Sequence, residues 1–174
     1  MFVRLKKLKG NNYAYLVVNT WTKKGPRQKT KKYLGRCYNL NKKKELDFKE
    51  HYKVNDIEAY VHSNSAKKVI SRIMEFELLK HGFEYDKRRK GSMIFGELEA
   101  KPKTMKIYHG ENKNDVVLKI NEGHLCEYLI KKILKFNFKG VEEDTYKFAD
   151  SFIMSGLEIN KEVFVELFQK TSHQ

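Results

Sequence analysis

Apolar and polar side chains alternate along the first part of the chain. FVRLKKL (2–8), YAYLVVNTW (13–21) and RQKTKKYL (27–34) carry β-branched and aromatic residues on a two-residue period, which predicts three strands. Gly10-Asn11-Asn12 and Lys23-Lys24-Gly25-Pro26 separate them as turns, so the expected product is a small antiparallel meander. On the middle strand Ala14, Leu16 and Val18 share one face, and Tyr13, Tyr15, Val17 and Trp21 the other. On the third, strict alternation puts Arg27, Lys29, Lys31 and Tyr33 together, with Gln28, Thr30, Lys32 and Leu34 opposite.

The period then changes. Residues 37–63 read as a mixed-charge connector with a short helix near 55–61, and residues 65–81 as a long, largely buried helix. Asn64 or Ser65 would cap its start, and Gly82 with Phe83 would close it in a Schellman arrangement. Segments 92–98, 104–109 and 115–120 form a second antiparallel meander, with GENKN (110–114) as its last turn. Three helices follow, over about 122–136, 143–155 and 161–170; the first would bury Leu125, Leu129, Ile133 and Phe136. Asn160 is placed to cap the last of them, and Glu142-Glu143-Asp144 to favour the N-terminus of the second. The expected class is α+β: a three-stranded antiparallel basic sheet in residues 1–40, then an α+β body over 45–174.

Charge changes this picture from architecture to function. The chain holds 36 Lys and Arg against 22 Asp and Glu, a formal +14. Its first acid is Glu45, and the 14 basic residues before it account for the whole excess. A lysine-rich surface would mix both signs, as residues 45–174 do; a first quarter without any acid is the footprint of a polyanion partner. The densest stretch, NTWTKKGPRQKTKKYLGR (19–36), interleaves its cations with Trp21 and Tyr33. Cations contact phosphates and aromatic rings stack on bases or sugars. The candidate binding residues are Arg4, Lys6, Trp21, Lys23, Lys24, Arg27, Gln28, Lys29, Lys31, Lys32, Tyr33 and Arg36, with Arg27 and Gln28 nominated for base-edge contact.

The stretch MFVRLKKLKGNNYAYLVVNTWTKKGPRQKTKKYLGR resembles the N-terminal segment of a family of insertion-sequence transposases. The elements that carry the likeness are Val3-Arg4, Tyr13 to Val18, Lys24-Gly25, Arg27 to Thr30 and the closing Tyr33 to Arg36. The resemblance implies a nucleic-acid-contacting module. It does not imply transposase chemistry, which needs a larger RNase-H-like domain with three metal-binding carboxylates; residues 45–174 show no βαβ pattern to hold them.

Other chemistry is sparse. Cys37 and Cys126 stand far apart and read as free thiols of a cytoplasmic protein, Cys126 as a small core residue. No histidine sits beside a cysteine at zinc-ligand spacing, and no Gly-rich phosphate loop, nucleophile elbow or cofactor fingerprint occurs, so neither metal nor cofactor is expected. No apolar run is long enough to span a membrane, and the N-terminus is not a secretory signal. Glu97-Leu98-Glu99-Ala100-Lys101 contains an E-x-K, with Asp86 upstream and Glu75 on the preceding helix. Metal-dependent nucleases of the PD-(D/E)xK type use such a set to bind Mg²⁺ and activate water. A charged strand end is the simpler reading, because E-x-K recurs by chance in Lys- and Glu-rich chains and Pro102 follows at once. The expectation is a non-enzymatic DNA- or RNA-binding protein whose 45–174 body can dock a protein partner. The alternatives are a structural component of a ribonucleoprotein or chromatin assembly, and a metal-dependent nuclease.

Overall fold

A computed structural model describes residues 1–110 and 113–172. Strands β1 (Phe2–Leu8), β2 (Asn11–Thr22) and β3 (Gly25–Asn39) form the expected antiparallel meander. Then come α1 (Phe48–Tyr52), α2 (Ile57–Ser63) and α3 (Ala66–Lys80). The second meander is β4 (Glu84–Tyr85), β5 (Met93–Phe95), β6 (Leu98–Lys101), β7 (Lys106–His109) and β8 (Asn114–Ile120). The chain closes with β9 (Gly123–Leu125), α4 (Glu127–Leu134), α5 (Glu143–Ser155) and α6 (Lys161–Ser172). The class is α+β.

The two meanders join into one sheet, ordered β1-β2-β3-β8-β7-β6-β5-β4, with β9 also on β8. Residues Arg36–Asn39 run parallel to Val116–Lys119, and Leu40 N–H continues the ladder to the Lys119 carbonyl at 3.0 Å. The backbones close tightly at the top of this seam. A Cβ on Gly35 would lie 2.6 Å from the Asp115 carbonyl oxygen, and Gly35 has φ +131°, so glycine serves there on both counts. The seam also shares a core: Ala14, Leu16, Leu34 and Cys37 pack with Val117, Cys126 and Leu129. Residues 1–40 are thus hydrogen-bonded and packed into the rest.

A larger cluster fills the other face of the β8 end. Val116, Leu118 and Ile120 meet α3, whose Val69, Ile70, Ile73, Met74 and Leu78 are buried, and Phe148, Phe152, Val163 and Leu167 of α5 and α6 complete it. The Ser65 hydroxyl caps α3 by accepting from Lys68 N–H at 3.2 Å. At its end Gly82 and Phe83 N–H groups donate to the Leu79 and Leu78 carbonyls at 3.1 and 3.0 Å, the expected Schellman closure. Beneath it Glu77 is fully buried, with Lys80 Nζ at 3.1 Å and Asn121 Nδ2 at 2.9 Å, and Lys80 also reaches Glu158. Asp144 of α5 is buried too, and its carboxylate accepts from the Lys139 N–H at 2.6 Å, tying down the preceding loop.

Several expectations need correction. The helix over 122–136 is β9 followed by a shorter α4. Leu125 is buried as expected, but from a strand, and His124 lies in β9 rather than in a first helical turn. Cys126, at φ −158° and ψ 159°, is extended and separates the two elements. The first turn is Lys9-Gly10, with β2 already begun at Asn11. The expected strand 92–98 divides into β5 and β6 around a turn at Gly96-Glu97. Strand β3 is longer than 27–34 and carries two bulges: Ala14 faces Gly35 while Tyr15 faces Tyr33, and Leu16 faces Lys32 while Val17 faces Thr30. Leu34 and Lys31 are the extra residues, and each insertion breaks the two-residue alternation. Of the expected last turn at 110–114, Glu111 and Asn112 lie outside the described residues.

Candidate nucleic-acid interface

The bulges decide which side chains of β3 share a face. Antiparallel partners point the same way, so one face carries Phe2, Arg4 and Lys6 of β1 and Tyr13, Tyr15, Val17, Asn19 and Trp21 of β2. From β3 it takes Pro26, Gln28, Thr30, Tyr33 and Arg36. Lys32, Lys29 and Arg27 go with Leu16, Val18 and Thr20 to the opposite face, and Lys31 sits in a bulge. The grouping of Tyr33 with Arg27, Lys29 and Lys31 therefore fails, and the cations divide between two surfaces.

The first face is open beside its aromatics. Val17 is buried, but Phe2, Tyr13, Tyr15 and Tyr33 belong to neither core cluster. Tyr33 is 51% exposed, and its ring lies 5.2 Å from that of Tyr15 and 6.4 Å from that of Tyr13. Burial first, and then its two tyrosine neighbours, push the Tyr33 phenol above its ordinary pKa, so the ring stays uncharged. Lys6 Nζ stands 5.5 Å from the Tyr15 ring, and the Arg36 guanidinium 5.0 Å from that of Tyr38, which itself stacks on His109 at 5.1 Å. Arg4 donates to Gln28 Oε1, and Arg36 to Asn11 Oδ1 at 2.6 Å. These neutral partners orient both guanidiniums without cancelling their charge.

Beyond Val17, β2 loses its β1 partner, because the last pair is Phe2 with Val17. Residues 18–29 therefore project as a two-stranded arm, roughly 15 Å long at the usual rise per residue. Thr22 Oγ1 donates to the Gly25 carbonyl at 2.8 Å and accepts from Lys24 N–H at 3.3 Å, fixing the tip. Trp21, opposite Pro26, is 84% exposed; Lys23 and Lys24 are exposed at the tip, and Arg27 and Lys29 on the other face of the arm.

A groove of about 910 Å³ runs between β3 and α4 and takes in residues of both faces, Lys32 being its cation from the opposite one. Lys32 of that face lines one wall together with Tyr33 and Arg36, which reach it from the first face, and Tyr128, Lys131, Lys132 and Lys135 line the other, with Lys32 Nζ 4.8 Å from the Tyr128 ring. Lys131 and Lys132 of α4 and Lys135 just after it were not among the residues nominated from sequence. The signal was present, since 128, 131, 132 and 135 form a helical stripe, but it was hidden by the even charge balance of residues 45–174. Glu127 pairs with Lys131 and offsets part of this charge. Lys42 to Lys44, also in the acid-free stretch, turn away: Lys42 pairs with Glu45 at 2.9 Å, and the Lys43 and Lys44 N–H groups donate to the Lys80 carbonyl.

The E-x-K residues come together only in part. Glu99 is buried and accepts from Ser92 Oγ at 2.9 Å, with Arg89 Nη1 at 2.6 Å and Lys101 Nζ at 3.4 Å. Burial works to raise its carboxyl, but the Ser92 hydrogen bond and the Lys101 and Arg89 charges hold it below the usual range. Arg89 also binds Asp86 at 2.7 Å, so a guanidinium bridges the two carboxylates where a nuclease would hold a metal ion. Glu97 pairs with His109 at 2.9 Å. Glu75 binds Arg72 and Tyr85; Tyr85 pairs with Met93 on the face of Ala100, opposite to that of Glu99. Among the described residues, one other set could supply three metal ligands: Glu58, His62 and Glu166, within 4.8 Å of one another. It is mostly exposed, and its His62–Glu166 contact at 3.3 Å links α2 to α6.

Comparison with protein-family models, with curated proteins and with solved structures gave no match. No helix among the described residues is long and apolar enough to cross a membrane.

Proposed function

We propose that this is a non-enzymatic, cytoplasmic nucleic-acid-binding protein that uses the β1–β3 face, its projecting arm and the adjoining lysine groove. The observation that carries the reading is the combination on one open face of unburied tyrosines with cations that have only neutral partners. An acidic protein could meet the charge, but would leave the rings without a specific use; nucleic acid answers both. The likeness of residues 1–36 to the N-terminal segment of transposases points the same way. The β1–β3 seam with β8 gives this surface a firm backing, because the rest of the chain holds its far side.

The test is fluorescence anisotropy of labelled single-stranded DNA, duplex DNA and RNA with the full chain over a range of salt, with polyglutamate as a competing polyanion. Binding with a steep negative dependence of log K on log salt, displaced by nucleic acid far better than by polyglutamate, is the expected result. No binding to any nucleic acid at about 0.1 M salt, or equal displacement by polyglutamate, overturns the reading.

A further inference from the structure

We propose that the open face takes a single strand, whose unpaired bases stack on Tyr33 and on Trp21; this rests on the nucleic-acid reading above. A base in a duplex hides both its faces against its neighbours, whereas an unpaired base offers a flat apolar surface to a ring. The strand register puts Tyr13, Tyr15, Tyr33 and Trp21 on one face, together with Arg4, Lys6 and Arg36. This is an alternation of stacking surfaces and backbone-neutralising charge along one track.

Tyr33 is the built position. Its ring is half exposed, and Tyr13 and Tyr15 lie against it, which limits the rotamer freedom a bound base would otherwise have to suppress. Arg4 and Arg36 reach the same face, each held by a neutral hydrogen-bond partner. Trp21 is the second position. A side chain of this size at 84% exposure has no part in the fold, and here it stands beside the tip that carries Lys23 and Lys24, with Arg27 and Lys29 exposed on the arm's other face. Tyr15, the partner of Tyr33, and Trp21 are six positions apart on β2, about 20 Å of strand, so the two stacking positions act independently.

The chain contains one tryptophan, so its intrinsic tryptophan emission reports this position alone. The experiment titrates the full chain with unlabelled oligothymidylate, with oligouridylate and with a blunt duplex of equal length, following that emission and, in parallel, anisotropy. Single strands should quench Trp21 emission at saturation, and the duplex should leave it nearly unchanged. Trp21→Ala, Tyr33→Ala and Tyr33→Leu should each weaken single-strand binding between about 5- and 150-fold while leaving duplex binding within a factor of two or so. Tyr33→Leu keeps apolar bulk on the sheet, so a loss there belongs to the ring and not to unfolding. Equal quenching by duplex, or variants that bind single strands as the parent does, overturns the stacking proposal and leaves the broader reading intact. Absence of binding to every nucleic acid overturns both.

Discussion

Neutralising the α4 stripe separates a binding surface made by the β1–β3 face and arm from one that continues into the groove. In the variant Lys131→Gln, Lys132→Gln, Lys135→Gln the core is untouched, because none of the three side chains belongs to either buried cluster. Each phosphate contact by a single strand contributes about −0.7 to the slope of log K against log salt. Three lost contacts would reduce the slope by about 2.1, but Lys131 is already paired with Glu127, which puts the lower bound near two contacts, or about 1.4. At about 0.15 M salt the corresponding loss of affinity is roughly 15- to 50-fold. Anisotropy titrations at four or more salt concentrations measure both quantities, and a thermal melt checks that the variant is folded. A folded variant with the parent slope would show that bound nucleic acid does not enter the groove.

Further perturbations test the frame that presents this surface. A Cβ on Gly123 would stand 2.1 Å from Gly156 N and 2.2 Å from the Ile153 carbonyl oxygen, both backbone atoms, so Gly123→Ala should cost more than about 3 kcal/mol in urea denaturation; a loss under about 1 kcal/mol would contradict the packing of β9 on α5. Burial pushes the Cys37 and Cys126 thiols up to about 11, so both should resist a thiol reagent at neutral pH until the protein is unfolded, and prompt native labelling would count against the shared core. The Lys80 hydrogen bond, against the opposing effect of burial, lowers the Glu158 carboxyl, and Ser92, Lys101 and Arg89 lower that of Glu99. Their contribution is complete above the ordinary glutamate pKa and is lost as pH falls through the lowered one. Melting temperature should drop from about pH 6 to about pH 3, and Glu158→Gln should reduce that drop. Glu99→Ala leaves the Ser92 hydroxyl and two cations without their acceptor; it should destabilise by about 1–3 kcal/mol without altering nucleic-acid affinity, and intact stability with lost binding would assign Glu99 to the site instead.

What could be read from the sequence was local. Helix α5 falls at 143–155 and α3 within a residue of its expected bounds, because caps and apolar spacing are written in neighbouring residues. The α4 region was misread because the apolar spacing of a helix runs on through Leu125; the close contact of Gly123 with Gly156 that holds β9 comes from a distant segment. The bulges at Lys31 and Leu34 are likewise a property of the pairing with β2, and they moved Tyr33 away from the cations with which alternation had grouped it. The parallel seam between Arg36–Asn39 and Val116–Lys119 joins segments far apart in the chain, and nothing local announces it. It also decides how the protein must be tested. Removing residues 1–44 would strip β8 of a partner and the smaller core of Ala14, Leu16, Leu34 and Cys37, so the basic segment has to be altered in place.

The central claim is that the open face and arm bind nucleic acid, and the most direct measurement compares the full chain with a variant in which Arg4, Lys6, Lys23, Lys24, Arg27 and Arg36 are all replaced by Gln. Both are titrated against oligothymidylate across salt concentrations, with melting curves to confirm equal folding. The account predicts that the parent shows a steep salt slope and that the variant loses up to about 4 of it, the share of six phosphate contacts. Equal slopes for two folded proteins, or no binding by the parent, would contradict it.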